Sequence, residues 1–313
     1  MRCIPRFCCL FALIAGVCAG SQVKAGPIQW QAAINVSNPS TWYSFEETSG
    51  ATTADVTPLT STGYDGVQNG TYFVGVNSPF SANPSESHVT RGTSGLIGNA
   101  AQFNFTSPNT GGFLRATGVP LTASFSVEVI AKSPTDPWTA NGLLGSANNG
   151  ASTAGFILHT NAGQDSTSAY IYMDNTTTVP EDGVQVFTGK TVTPLEPDLF
   201  HHYVLTYDEP SKMVTLYLDG IATTTTAIVD RSHLGSLGLT VEIAHVVGAG
   251  FVVDRVASVV VDEWVLYNRA ISSTEINAHF AAITAVPEPT SFLLMALVIP
   301  VLALRRRRMG LPL

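Results

Sequence analysis

Apolar and polar residues alternate along much of this chain, most clearly over residues 200–227. Three alternating stretches lie there, separated by turn residues at 208–211 and by Asp219-Gly220. Because side chains on a strand point to opposite faces in turn, the pattern predicts three strands joined by two turns. Similar short stretches recur between turn residues elsewhere, and signals for long helices are few. The pattern therefore predicts an all-β sandwich of two antiparallel sheets.

A second alternating stretch covers residues 259–267 and has bulky residues at both sets of positions, which is typical of a central strand. Strict alternation places Val259, Val261, Glu263, Val265 and Tyr267 on one face and Val260, Asp262, Trp264 and Leu266 on the other. Asp262 and Glu263 are then expected on opposite sides of the sheet. After this stretch, Ser272 and Glu275 form a capping box, which predicts a short helix on an end of the sandwich.

The N-terminus has the three parts of a secretory signal peptide, predicted over residues 1–25. Arg2 and Arg6 precede an apolar stretch over residues 7–20, and Val23-Lys24-Ala25 offers a cleavage site with small residues. A lipoprotein acylated at Cys18 is an alternative, although Val17 suits that processing poorly. All four cysteines lie within residues 1–25, so the exported body forms no disulfide.

The C-terminus, residues 284–313, also has three parts: a proline-bracketed acid, an apolar segment over residues 290–304 and a basic cluster. A helix needs roughly 20 residues to cross a bilayer, so the segment is short for a span. The arginines hold their end in the cytoplasm. This tail resembles the PEP-CTERM sorting signal, which in its family keeps an exported protein in the inner membrane until an exosortase removes the tail. A plain membrane anchor is the alternative. The residues of the sorting signal are Pro287, Glu288, Pro289, Arg305, Arg306, Arg307 and Arg308.

Composition limits the partners of the body, residues 26–286. It contains eight basic and 22 acidic residues, so its net charge is more negative than the −8 of the whole chain. Such a surface repels nucleic acid and anionic lipid, and it suits neutral glycans, cations or basic partners. Acidity that only keeps an exported protein soluble is the simpler interpretation. The length of the body fits one large β domain.

The strand sequences resemble LamG-like jelly-roll domains of the concanavalin A-like lectin/glucanase fold. The resemblance covers residues 43–50, 95–103, 125–132, 200–208, 216–220 and 261–272, in the order of the family. Phe200 and Ile130 stand where the family usually has tryptophan. The resemblance implies a jelly-roll domain over residues 41–283, preceded by a linker over residues 26–40, with six or seven strands in each of two stacked sheets.

The sequence favours neither of two kinds of catalytic site, a histidine-based site and a pair of carboxylates. His201 and His202 are neighbours on a strand, so they point to opposite faces and cannot bind one metal together. The sequence shows no nucleophile and acid grouped with them. Glucanases of this fold resemble one another in a Glu-x-Asp-x-x-Glu strand motif, and this chain has no such string. Other carboxylate pairs could still meet in space, which leaves a glycoside hydrolase as the less favoured alternative.

Candidate site residues follow from the chemistry of each ligand. Calcium takes six to eight oxygens, and many LamG-like domains carry one structural calcium ion. An inward carboxylate on the closing strand needs such an ion or a partner such as Arg255 or Arg269. The candidate calcium ligands are Glu46, Glu47, Asp55, Asp262 and Glu263. The candidate glycan-binding residues are Trp138, Tyr170, Tyr172 and Asp174, with core packing as the alternative for the aromatic residues.

The sequence as a whole predicts an exported bacterial protein of the cell surface or extracellular matrix. It would be anchored in the membrane only until an exosortase-type peptidase processes it. The resemblance implies a non-catalytic module that binds carbohydrate or protein, such as a surface glycan or exopolysaccharide. A structural matrix protein without a defined ligand is the alternative.

Overall fold

The computed structural model describes residues 27–50, 52–54, 69–76, 81–85, 87–107, 110–132, 141–148, 155–161, 166–172, 184–187, 199–227, 237–246, 255–256 and 258–284. The predicted signal peptide lies outside these residues, as does the predicted sorting tail beyond Thr284, with its apolar segment 290–304. None of the helices in the described part of the chain has the length and apolar character needed to span a membrane.

Two antiparallel sheets form the body of the protein, together with one short two-stranded ribbon and two helices. Sheet A has the order β16 (Ile221–Ala227), β15 (Met213–Leu218), β14 (His201–Asp208), β9 (Phe125–Lys132), β20 (Val259–Tyr267), β6 (Asn99–Phe103) and β5 (Val89–Ser94), and β1 (Thr41–Tyr43) pairs with β20. Sheet B has the order β13 (Val184–Phe187), β12 (Ser166–Tyr172), β11 (Gly155–Asn161), β10 (Asn141–Asn148), β17 (Leu237–Ile243), β8 (Thr110–Leu121), β3 (Gly70–Val76) and β2 (Thr52–Thr53), with β4 (Ser81–Pro84) beside β3 and β7 (Phe105–Ser107) beside β8. The ribbon is β18 (His245–Val246) with β19 (Arg255–Val256), and the helices are α1 (Pro27–Ser37) and α2 (Ser273–Thr284).

The predicted meander and the predicted central strand are both confirmed. Strands β14, β15 and β16 pair in sequence order, and β20 lies between β9 and β6 in the middle of sheet A. Asp219 and Gly220 both have positive φ, 50° and 78°, as the tight two-residue hairpin turn requires. Among the described residues sheet A has eight strands and sheet B ten, more than the six or seven expected, because short strands such as β1, β4 and β7 pair beside longer ones.

The main core lies between the two sheets. Aromatic side chains fill much of it, and Trp264 of β20 stacks on Tyr43 of β1 with ring centroids 5.8 Å apart. Phe125 of sheet A stacks on Phe156 of sheet B at 5.4 Å. Burying each such side chain stabilises the fold by roughly 2 to 3 kcal/mol, so the cysteine-free body is held by core packing.

A second apolar cluster lies on the opposite, outer face of sheet A, under helices α1 and α2. Trp30 and Ile34 of α1 are 1% and 0% exposed and pack with Ile276 of α2 and Val265 of β20. Residues 26–40, predicted as a linker, therefore contain a helix that belongs to the folded body. The linker prediction was wrong because the two large apolar residues of this short segment find a tertiary partner, which its sequence alone does not reveal.

The predicted capping box is confirmed at the start of α2. The backbone N–H of Glu275 donates to Ser272 Oγ over 3.2 Å, and the N–H of Ser272 donates to Glu275 Oε2 over 2.9 Å. These reciprocal bonds satisfy two amide groups that a helix N-terminus leaves without a partner in the helix.

Candidate functional site

A buried polar network lies on the outer face of sheet A, beneath the two helices. Its centre is Glu128 of β9, which accepts hydrogen bonds from His202 Nε2 of β14 over 2.5 Å, from His279 Nδ1 of α2 over 3.0 Å and from the Tyr267 hydroxyl of β20 over 2.7 Å. These four side chains are at most 1% exposed. One carboxylate thus joins three strands and a helix.

Electrostatics within the network favour an ionised Glu128. Burial alone would raise its pKa, but the charges of His279 and His202, followed by their hydrogen bonds, hold the pKa of Glu128 well below its usual range. Burial likewise opposes a proton on His279, and the attraction of Glu128 outweighs it, so the pKa of His279 is raised. Burial, with the neighbouring Glu128 charge, also raises the pKa of Tyr267 well above its usual value.

Ser37, the last residue of α1, connects the network to the partly exposed Arg269–Glu275 pair. Ser37 Oγ lies 2.8 Å from His279 Nε2 and donates to Glu275 Oε1 over 3.4 Å. Arg269 donates to Glu275 over 3.0 and 2.5 Å and to the Ser37 carbonyl over 2.8 Å. The Arg269 hydrogen bond is the main reason why the pKa of Glu275 falls to about 2.

Ser37, His279 and Glu128 have the hydrogen-bonding order of a nucleophile, a base and an acid. Ser37 is only 2% exposed and lies beneath the Arg269–Glu275 pair, so a substrate has no access to its hydroxyl in this arrangement. The network is therefore a structural tie between helices and sheet. Sequence analysis missed this grouping because the pairs bonded through Glu128 and His279 are 74 to 242 residues apart and share no local motif.

The prediction that His201 and His202 point to opposite faces is confirmed. His202 joins Glu128 under the helices, whereas His201 Nδ1 lies 2.8 Å from Asp219 Oδ2 and its ring contacts Tyr203 of the main core. The N–H of His202 also donates to Asp219 Oδ1 over 2.9 Å, so the Asp219-Gly220 turn is tied to the strand beside it.

The predicted separation of Asp262 and Glu263 onto opposite faces was wrong. The pairing of β20 with β9 shifts register between Val261 and Glu263, so Asp262 is the extra residue of a β-bulge. Val261 and Trp264, on either side of the acidic pair, both face the core between the sheets. Asp262 and Glu263 consequently both lie on the outer face of sheet A, because a bulge interrupts the alternation on which the prediction rested.

Each of these two carboxylates has its own donors. Asp262 Oδ2 accepts from the backbone N–H groups of Leu96 and Ile97 over 2.6 and 2.8 Å, and Glu263 Oε2 accepts from Trp42 Nε1 over 2.5 Å. Burial, reinforced by the charge of Asp262, raises the pKa of Glu263 well above its usual value. Asp262 thus accepts from two backbone amides and Glu263 from an indole, whereas Arg269, one predicted partner, pairs with Glu275.

Two of the residues predicted to bind calcium have hydrogen-bond donors of their own, and the charge of Glu46 acts on Glu263 together with that of Asp262. Glu46 Oε2 accepts from the N–H of Asn99 over 3.1 Å, while Glu47 Oε1 accepts from Thr53 Oγ1 and from the N–H of Ala54, each over 2.8 Å. Asp55 lies outside the described residues. Within the part of the chain that the structure describes, no group of three or more His, Cys, Asp or Glu side chains could hold a metal ion. These residues do not fit a calcium ion by themselves, and calcium stays a prediction.

The outer face of sheet B carries a different charged group. Arg115 of β8 donates to Glu242 of β17 through Nε over 2.6 Å, and its Nη2 lies 2.6 Å from the same oxygen. Its guanidinium lies 5.0 Å from the ring centroid of Phe73 and 5.3 Å from that of Phe113, and these two rings stack at 5.5 Å. Glu242 is fully buried, whereas 21% of the Arg115 side chain is exposed.

The predicted glycan-binding residues divide between this sheet and the undescribed part of the chain. Trp138 and Asp174 lie outside the described residues, and Tyr170 and Tyr172 belong to β12. Register partners connect Tyr170 to Arg115 in one row across sheet B: Tyr170, Ile157, Ser146, Glu242 and Arg115. Strands lie about 4.8 Å apart, so this row is roughly 19 Å long. Sequence analysis missed Arg115 because it lies outside every motif considered.

The comparisons with known proteins give fold relatives of low identity. The carbohydrate-binding module CBM40 of the Ruminococcus gnavus sialidase, bound to α2,3-sialyllactose, is 15% identical, with 50% of this chain and 82% of that chain covered and a TM-score of 0.40. The binding domain of Paraclostridial Mosquitocidal Protein 1 is 12% identical, with coverage of 79% and 53% and a TM-score of 0.53. The binding domain of botulinum neurotoxin DC, in complex with rat synaptotagmin II, is 9% identical, with coverage of 80% and 53% and a TM-score of 0.50. No curated protein matches this chain.

The two toxin binding domains show the fold alone, and the chain spans about half of their length. The family evidence comes from the sequence itself. Laminin_G_3, described as the concanavalin A-like lectin/glucanases superfamily, matches residues 98–277, which is more than half of the chain and most of both sheets. This chain belongs to the Laminin_G_3 family of the concanavalin A-like lectin/glucanases superfamily.

Proposed function

We propose that this protein is an exported, non-catalytic binding module that holds a carbohydrate on the outer face of sheet B. The observation that carries the proposal is Arg115, whose guanidinium rests on the Phe73 and Phe113 rings, is fixed by Glu242 and keeps 21% of its side chain exposed. A planar donor group held rigidly in one place suits the hydroxyl groups of a sugar, because little side-chain entropy is lost on binding.

Charge narrows the class of carbohydrate. The body carries 22 acidic and only eight basic residues, so a polyanionic glycan would be repelled as a whole. An uncharged glycan is therefore the proposed ligand. Tyr170 occupies the same register row as Arg115 and is the sequence-predicted residue that fits an extended ligand lying across the strands.

A glycan array tests this proposal with two Arg115 variants and a matched control. Arg115→Ala should weaken retention of neutral glycans by about tenfold, the effect of losing one hydrogen-bonding contact of 1 to 2 kcal/mol. Arg115→Lys keeps the charge beside Glu242 but loses the planar fork, and it should also bind weakly. Lys132, which lies over the Phe200 ring on sheet A, provides the control, since Lys132→Ala should bind as the unmodified protein does. Equal retention for all variants would contradict the proposal.

The route to the cell surface is a second part of the proposal. The sequence supports a signal peptide over residues 1–25 and exosortase processing at residues 284–313, with release to the surface or matrix. Replacing Pro287, Glu288 and Pro289 by alanine should leave the uncleaved protein in the membrane fraction, as detected by intact mass. Normal release of this variant would instead favour processing that does not use the motif.

Calcium remains the predicted cofactor, with oxygen ligands required from outside the described residues, Asp55 among them. Scanning calorimetry with calcium and with EDTA tests it. A structural ion should raise the melting temperature, since it binds only the folded state. An unchanged melting temperature would contradict calcium binding.

A further inference from the structure

Helix α1 depends on groups from other elements at its C-terminal end. The helix has no basic residue in its last turn, although the carbonyl groups there favour a nearby positive charge. Arg269 donates to the Ser37 carbonyl over 2.8 Å, and His279 Nε2 lies 2.8 Å from Ser37 Oγ. The Ala33 carbonyl also favours a proton on the His279 ring. Two side chains outside α1 thus supply the donors that its end lacks.

The hydrogen-bond partners locate the protons of the network. Because the Glu128 carboxylate is an acceptor only, His202 must donate from Nε2 and His279 from Nδ1. A second proton on His202 would lie at Nδ1, which is buried without a hydrogen-bond partner among the described residues. A second proton on His279 lies at Nε2, where Ser37 Oγ accepts it. The geometry therefore favours His279 as the ring that carries the positive charge.

We propose that His279 is a pH-responsive latch, which fastens helix α1 to the sandwich when its ring is protonated and loosens the helix when the ring is neutral. A protonated ring donates in both directions, to Glu128 and to the end of α1. A neutral ring keeps its bond to Glu128, but Nε2 then only accepts and no longer supplies the helix end with a donor.

The charged and titratable groups around His279 support this assignment. Glu128 of β9 faces it directly, Tyr267 of β20 stacks on its ring at 6.2 Å, and His202 of β14 shares the Glu128 carboxylate. Glu275, one turn earlier on α2, is neutralised by Arg269, and the α1 residues 27–37 include no charged side chain. The imidazolium of His279 therefore balances the buried charge of Glu128.

The direction of the pH response follows from the raised pKa of His279. A histidine with a raised pKa in the folded state stabilises the fold fully below its unfolded value, near 6.5, and this contribution is lost as the pH rises through the folded value. Helix α1 should thus be held tightly in mildly acidic solution and less tightly in alkaline solution.

Hydrogen exchange measured by mass spectrometry on the whole protein tests the latch. After correction for intrinsic exchange rates, amides of residues 27–37 should exchange about fivefold faster at pH 8.5 than at pH 5.5, relative to amides of β14. His279→Asn keeps a donor near Glu128 but cannot become charged, so the pH response should disappear. A response that persists in this variant, or that is missing from the unmodified protein, would overturn the proposal.

Two further variants make the result specific. His201→Asn removes a histidine that pairs with Asp219 on the opposite face of sheet A, and it should leave the response of α1 unchanged. Ser37→Ala removes the acceptor of the Nε2 proton, together with the longer 3.4 Å bond to Glu275, and should shrink the response without unfolding the protein. If His279→Asn fails to fold, an undiminished response in Ser37→Ala would equally rule out the latch.

Discussion

Each outer face of the sandwich contains a fully buried glutamate, and the two differ in what surrounds it. On sheet A, Glu128 is held by His202, His279 and Tyr267, none of them more than 1% exposed. On sheet B, Glu242 pairs with Arg115, which keeps 21% of its side chain exposed. Several buried donors make the site on sheet A a closed structural network. The site on sheet B instead holds one charged group, Arg115, where a ligand can reach it.

The comparison is tested most strongly by removing Glu128. Glu128→Ala leaves the donors of His202, His279 and Tyr267 without their shared acceptor, and we expect a loss of about 4 kcal/mol in the free energy of unfolding. Urea denaturation at pH 7 measures it. Glu128→Gln, which retains one acceptor oxygen, is the matched control and should lose less. A loss below about 1 kcal/mol for the alanine variant would show that the network does not hold the helices.

The contribution of Glu128 should also depend on pH in a defined direction. Its pKa is lowered by folding, so its contribution is present above the unfolded value, near 4.5, and is lost as the pH falls below it. The stability difference between the unmodified protein and Glu128→Gln should therefore narrow between pH 5 and pH 3, as denaturation at each pH would show. A constant difference over that interval would contradict an ionised Glu128.

Removing Arg115 should have a smaller effect on stability than removing Glu128. Arg115→Met leaves Glu242 buried without its cation, but the partial exposure of the arginine lets water reach the gap, so we expect a loss of about 2 kcal/mol. Denaturation with urea measures this change, and Glu242→Gln, which keeps an acceptor for Arg115, is the control. Losses as large as those for Glu128→Ala would remove the proposed difference between the two faces.

Period-two alternation and turn chemistry were enough to predict much of the fold. The meander of β14 to β16, the central position of β20 and the capping box at Ser272 are all local patterns, and each is confirmed. Helix α1 was not predicted, because its stability comes from burying Trp30 and Ile34 against elements distant in sequence. The bulge at Asp262 was not predicted either, since one extra residue leaves no mark in the alternation itself.

The sites were harder to predict than the fold because they depend on long-range neighbours. Glu128 and His279 are 151 residues apart, and Arg115 and Glu242 are 127 apart, so neither pair forms a sequence motif. The chemistry of its side chain predicts Tyr170 as a binding residue, and only strand register connects it to Arg115. Sequence patterns indicate which residue types a site needs, whereas sheet order decides which of them meet.

Glu263, on the outer face of sheet A, offers a further test, because removing its buried charge should stabilise the protein. Burial and the nearby Asp262 raise the pKa of Glu263. The protonated carboxyl group therefore contributes its stability at low pH, and this contribution is lost as the pH rises through the pKa of the folded state. Glu263→Gln copies the neutral carboxyl group and keeps an acceptor for Trp42. We expect a gain of about 1 kcal/mol at pH 8 and little change at pH 4, measured by urea denaturation. Destabilisation at pH 8 would indicate that Glu263 is needed as an anion.

The smallest expected effect concerns the N-terminal capping box of α2, the helix that covers the outer face of sheet A. Ser272→Ala removes the acceptor for the N–H of Glu275 but leaves the Arg269–Glu275 pair in place, so the loss should be about 0.5 to 1 kcal/mol. Hydrogen exchange should show the change in the first turn of α2, with β8 and β17 of sheet B unaffected. Glycan retention should also stay the same, because the row proposed to bind the sugar lies on the other sheet. A parallel loss of glycan binding in Ser272→Ala would mean that the two outer faces are coupled, and the separation between a structural face and a binding face would then fail.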